Sequence, residues 1–231
     1  VGWHLEEYGE PERRDRSPSA QEDEERRRRG AHRRRLEVNP LLQAETRSWT
    51  AREFERMVEL GIIGEDERVE LVEGRIVQMP PIGPGHADSV MCATHALAAA
   101  FGATHYLRVQ LPLKVRERSE PQPDFALIPK GARDPVQHPS TADLVIEVAD
   151  TSLAYDREVK AAVYAAAGIP EYWLVNLPER CLEVRRHPGP DSASVTGHSY
   201  RSLQVHRPEE SVSPLFCPQT ALPVAVFFGP V

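Results

Sequence analysis

Long apolar runs are missing from this chain of 231 residues. No stretch approaches the ~18 consecutive apolar side chains that a membrane-spanning helix needs, so no membrane span is expected. The first residues are charged rather than apolar, which leaves no secretory signal to expect. The chain opens on Val1, as a fragment or a product of an alternative start codon does. Cysteine is scarce. Cys92, Cys181 and Cys217 lie far apart, and they form neither a disulfide framework nor a zinc knuckle. A reducing, cytoplasmic setting is the expectation they fit.

Positive charge is also in deficit: 28 Lys and Arg stand against 35 Asp and Glu, a net charge of −7. That argues against a protein that coats nucleic acid by bulk electrostatics. It leaves open an enzyme acting on phosphodiesters, since a carboxylate-rich metal site is itself negative. No Gly-x-Ser-x-Gly elbow, His-Glu-x-x-His pair or Walker loop occurs, which leaves the α/β-hydrolase, zincin and P-loop readings without an anchor. Gly83-Pro84-Gly85 is too short to cradle phosphates, and the nine histidines show no zinc-type spacing with cysteine.

What is present divides at about residue 47. Residues 1–47 include the run from Gln21 to Arg29 and the triplet Arg33-Arg34-Arg35. Such a segment buries too little apolar surface to offset its ordering entropy, so a charged, disordered extension is expected. Its arginines read either as a solvated tail or as a nucleic-acid arm. Residues 48–231 are expected to form one domain. Thr50-Ala-Arg-Glu53 has the form of a capping box, and the helix it opens ends near Gly61. Val69–Met79 reads as a hairpin turning at Glu73-Gly74, Pro80–Gly85 as a loop, and His86–Phe101 as a second helix. Strands are expected at 106–115, 122–128, 143–149, 171–176 and 181–186, with a third helix over 155–167. The proline-rich remainder reads as loop with short strands. This order gives an α/β domain with a mixed central β-sheet flanked by α-helices.

Two carboxylates stand out. Asp143–Ala149 is nearly continuous aliphatic sequence, as in a central strand covered on both faces, yet it carries Glu147. A buried acid needs a cation, a hydrogen-bonding partner or an opening to solvent. Asp124 poses the same question at the head of the preceding strand, where Pro123 restricts the backbone. Together they could share a hard divalent cation. Lys160 follows on the next helix, four residues from both Asp156 and Tyr164, so the three share a face. Asp156 with Lys160 also fits an ordinary ion pair, and Tyr164 fits packing better than chemistry.

Pro123-Asp124, then Glu147-Val148-Ala149, then Lys160, resembles the PD-(D/E)xK nuclease superfamily, with the lysine displaced from the position held by Ala149 onto the helix. More closely, the chain resembles the Uma-two family across about residues 48–228. The matching segments are Trp49-Thr50, Glu70–Val77, Gln122-Pro-Asp124, Glu147-Val148, and Asp156–Tyr164 running through Gly168–Val175. The resemblance implies a restriction-endonuclease-like core. It implies Asp124 and Glu147 as ligands of magnesium or manganese, Lys160 as the catalytic lysine and Glu70 as an accessory acid. His86 matches a histidine common in the family and otherwise reads as structural. DNA is the implied substrate, and a homodimer follows by analogy. The alternative is a nuclease-fold module that binds nucleic acid or protein without catalysis.

Overall fold

The computed structural model describes residues 46–64, 66–132 and 134–229; the expected extension over 1–47 therefore lies almost wholly outside the described residues. Helix α1 (Ala51–Glu59) starts at the expected capping box, in which Glu53 N–H donates to Thr50 Oγ1 and Thr50 N–H donates to the Glu53 carboxylate. Gly61, at φ +67°, follows it in the left-handed region that ends helices. Thr50→Ala removes this cap and is expected to cost about 1 kcal/mol of stability, read by urea unfolding.

The hairpin forms as expected from β1 (Val69–Val72) and β2 (Arg75–Gln78). Glu73 and Gly74 both adopt positive φ at its turn, which matches the strand twist of a tight two-residue connection. Helix α2 spans Pro84–Phe101. It begins two residues before the expected His86, because Pro84 occupies the first helical position, where a missing N–H costs nothing.

The remaining long strands make one mixed sheet in the order β3-β4-β5-β6-β7-β8. They are β3 (His105–Val109), β4 (Phe125–Pro129), β5 (Leu144–Ala149), β6 (Glu171–Asn176), β7 (Cys181–Pro190) and β8 (His198–His206). Only β5 and β6 run parallel. Between them the chain crosses over through α3, an α turn (Leu153–Tyr155), a π-helical turn (Asp156–Lys160) and an α segment (Ala161–Ala166). Short β9 (Ser211–Val212) and β10 (Leu222–Pro223) pair separately.

Strand β5 is buried along its whole length, and its alternation divides the core. Leu144, Ile146 and Val148 pack with Ala93, Leu97 and Phe101 of α2 on one side. Val145 and Ala149 pack with Ala161, Val163 and Tyr164 of α3 on the other. Helices thus cover both faces, and Glu147 belongs to the α3 side.

Three expectations require correction. The strand expected over 106–115 stops at Val109, because Gln110 turns to φ +50° and Pro112 has no N–H to give a ladder. The third helix is not regular: Ala161 N–H donates to Asp156 O, five residues back. The expected final strand at 181–186 extends to Pro190, and β8, anticipated only as part of a loop-rich tail, is a nine-residue strand paired along it. Among the described residues no helix is long and apolar enough to cross a membrane.

Candidate active site

Sheet register brings the first two acids together. Val109 pairs with Phe125, and Phe125 with Ile146. One step further along these antiparallel pairs, Gln110, Asp124 and Glu147 lie in one row across three strands. Asp124 N–H donates to Glu147 Oε2 at 3.1 Å, and Val148 N–H donates to Asp124 Oδ2 at 2.8 Å. Each carboxylate therefore takes a backbone donor from the strand of the other.

Side chains complete their hold. Gln110 Nε2 donates to Asp124 Oδ1 at 3.0 Å, while His86 Nε2 lies 3.1 Å from Asp124 Oδ2. Lys160 Nζ donates to Glu147 Oε1 at 3.0 Å and pairs with Glu70 Oε2 at 2.7 Å. Tyr164 OH donates to the same Glu147 oxygen at 2.8 Å. Asp156 Oδ2 accepts the Ser152 hydroxyl at 2.6 Å. Lys160 is only 3% exposed and Tyr164 fully buried, so neither belongs to a solvated helix face. Asp156 and Lys160 are not a surface ion pair.

Of the seven expected site residues, Asp124, Glu147, Lys160, Glu70, Asp156 and Tyr164 fall in one buried cluster, with His86 half-buried at its edge against Asp124. Tyr164 both packs and bonds to Glu147, a dual role that its helical spacing did not reveal. Gln110 and Ser152 were missed. Gln110 was concealed in an alternating run read as a continuous strand, and Pro112 inside that run was the one available warning. Ser152 carried the weak signal of a hydroxyl four residues before Asp156.

Charge within the cluster is unbalanced. Four carboxyls (Glu70, Asp124, Glu147, Asp156) face one ammonium and one imidazole. Burial pushes Glu147 up to about 8, against the pull of Lys160, with Asp124 adding like-charge repulsion. Burial likewise lifts Asp156 to about 6, opposed by Lys160 and by the Ser152 hydroxyl. At Asp124 burial acts upward but is outweighed by the hydrogen bonds from His86, Gln110 and Val148, which hold it below the usual carboxylate range. Burial would lower Lys160, yet Glu147, Glu70 and Asp156 together hold it well above its ordinary value. A single ammonium cannot neutralise this many acids, so the cluster keeps Lys160 charged and resists full ionisation of its carboxyls.

The donor set suits a hard divalent cation. Carboxylate oxygens are the right ligand type, and the surplus negative charge is what such an ion relieves. Among the described residues no group of three His, Cys, Asp or Glu side chains is spaced to hold a metal. Magnesium is compatible with that, since it takes one or two carboxylates and keeps water on its other positions.

The family model for Uma2, described as "Putative restriction endonuclease", matches residues 51–225. The chain belongs to this family. No curated protein matches it in sequence. Among solved structures it is similar to one described as a "putative nuclease belonging to DUF820" from Anabaena variabilis. That similarity has a TM-score of 0.56 at 16% identity, over 74% of this chain and 96% of the other. At such identity the likeness shows a shared fold. Within the Uma2 chain the matched span contains every residue of the acidic cluster. Family and fold together place the protein among restriction-endonuclease-like proteins, with the mixed sheet and flanking helices expected of them.

Proposed function

We propose that this protein is a magnesium- or manganese-dependent endonuclease that hydrolyses DNA phosphodiester bonds. The observation that carries this reading is the convergence of Asp124, Glu147 and Lys160, from three different elements, into one buried cluster with more acid than base. Asp124 and Glu147 would hold the ion, which supplies Lewis-acid polarisation of a phosphoryl oxygen.

The chain's own groups have separate tasks. Gln110, His86 and the Val148 N–H fix the direction of Asp124 before substrate arrives. Tyr164 and the Asp124 N–H hold the two oxygens of Glu147 apart in a set orientation. Lys160 places a full positive charge where negative charge builds on the phosphate, or orients the attacking water. Glu70 keeps the ammonium in position from the opposite side. Because these dipoles and charges are arranged in advance, little reorganisation is required at the moment of reaction.

Supercoiled plasmid, incubated with magnesium and in parallel with EDTA, tests the reading. Metal-dependent nicking is expected from the wild type. Asp124→Ala and Glu147→Ala are each expected to lose more than the ~10–100-fold that removal of a supporting group costs. A wild-type protein that nicks no DNA or RNA substrate with either metal would leave only a nuclease-fold binding module.

A further inference from the structure

Most of the acidic cluster has little access to a substrate. Of Glu70, Asp124, Glu147, Asp156, Lys160 and Tyr164, the most open is Asp124, at 8% exposure. Four polar side chains beside them reach further toward solvent: His86, Gln110, Ser152 and Tyr155. Three of these are committed to a carboxylate, at 3.1, 3.0 and 2.6 Å in that order. Tyr155 is not. Its hydroxyl lies 3.5 Å from Glu70 Oε1, beyond the roughly 2.5–3.0 Å of an ordinary O–H···O bond. By contrast Tyr164, Tyr172 and Tyr200 donate at 2.8, 3.1 and 2.9 Å. Little is lost when the Tyr155 hydroxyl turns to another acceptor.

The wide turn sets this hydroxyl beside the ammonium. Tyr155 and Lys160 are five residues apart, which a regular α-helix would separate by about 140° around its axis. The π-type turn at Asp156–Lys160 holds an extra residue. Both side chains end on one carboxylate, Tyr155 against Glu70 Oε1 and Lys160 Nζ on Oε2 at 2.7 Å. Oε2 also accepts the Gln122 N–H at 3.2 Å, so Glu70 stays held when Tyr155 lets go. Burial, then the charges of Glu70, Asp156 and Glu147, keep the phenol well above its ordinary range against the pull of Lys160. It is a neutral donor at any working pH.

We infer that Tyr155 is a catalytic residue of this site: its O–H leaves Glu70 and donates to a non-bridging oxygen of the phosphate under attack, beside Lys160. This inference rests on the proposed nuclease function, since it takes the scissile phosphate as the acceptor. No proton is transferred; one hydrogen bond is exchanged for another. Lys160 already directs two of its three N–H groups at Glu70 and Glu147, so a second donor at the phosphate adds what the ammonium alone does not supply. A donor aimed where charge builds in the transition state lowers the barrier without tightening the ground state to the same degree.

Tyr155→Phe removes the hydroxyl and keeps the ring. Steady-state nicking of supercoiled plasmid with magnesium, from about pH 6 to pH 9, is measured for this variant and the wild type, with urea unfolding of both. The variant is expected to show a kcat about 100-fold lower, as loss of one transition-state donor gives. KM, the shape and midpoint of the pH profile, and the urea midpoint are expected to stay as in the wild type. A hydroxyl that served only to hold Glu70 would displace the pH profile or lower the urea midpoint, and either result would overturn the contact. So would an unchanged kcat beside an active wild type, or a rise in KM alone. In each of those cases the nuclease reading survives. It fails separately, and takes this contact with it, when the wild type itself nicks no plasmid.

Discussion

Lys160→Met is expected to abolish nicking and to lower the unfolding free energy by about 3–5 kcal/mol at pH 8, the cost of stranding buried charge by removing one partner. Methionine nearly fills the volume, so the loss measures charge rather than packing. Glu70 and Glu147 both lose their ammonium partner in this variant, and Tyr164 alone cannot replace it. The deficit also has a pH signature. Acidification protonates the stranded carboxyls, so the gap between variant and wild type is expected to narrow from pH 8 to pH 5. Urea unfolding at the two pH values measures this. A variant as stable as the wild type at pH 8 would show that Lys160 is not the counter-charge of the cluster.

Magnesium or manganese is expected to raise the stability of the wild type, by about 2.7 kcal/mol when the free ion stands at a hundred times its dissociation constant. The effect should be larger at pH 8.5 than at pH 6. The folded value of Glu147, about 8, lies above its ordinary 4.5. A carboxyl raised in this way contributes stability that is complete below 4.5 and lost as pH rises through 8. Asp156, raised from 3.8 to about 6, acts in the same direction over a lower window. The metal-free protein is therefore weakened on the alkaline side by its own acids, where an ion has no proton to displace. Thermal unfolding with magnesium and with EDTA at both pH values is the measurement. Glu147→Gln should gain little when metal is added. A wild-type transition indifferent to both metals would count against Asp124 and Glu147 as ligands.

Legibility in the sequence followed physical scale. Glu147 was visible because a carboxylate in a fully apolar strand has few explanations, and the strand itself was visible from its aliphatic run. Register then did what sequence could not. The pairing of β3, β4 and β5 aligns Gln110 with Asp124 and Glu147, and no local pattern encodes which strands become neighbours. The site's second layer was legible only in part for the same reason. His86 and Glu70 entered by resemblance, Gln110 and Ser152 not at all. Their roles depend on long-range approach: His86 and Asp124 are 38 positions apart, and Lys160 reaches Glu70 across the domain. Strand β8 went unseen because its composition is polar and its face half-exposed, so it lacks the hydrophobic alternation that marks a buried strand.

The wide turn at Asp156–Lys160 has a consequence for how this helix can vary. A π-type turn holds one residue more than the α-helix around it, so the parts on either side are out of phase by about 100°. Ser152 and Asp156 enter from the early part, Tyr164 from the late part, with Lys160 at the junction. Trimming the loop by a single residue would leave the apolar packing of the late part intact while rotating the early part's polar groups away from the ammonium. In this chain the spacing from Asp156 to Tyr164 therefore sets how the polar groups on either side approach Lys160.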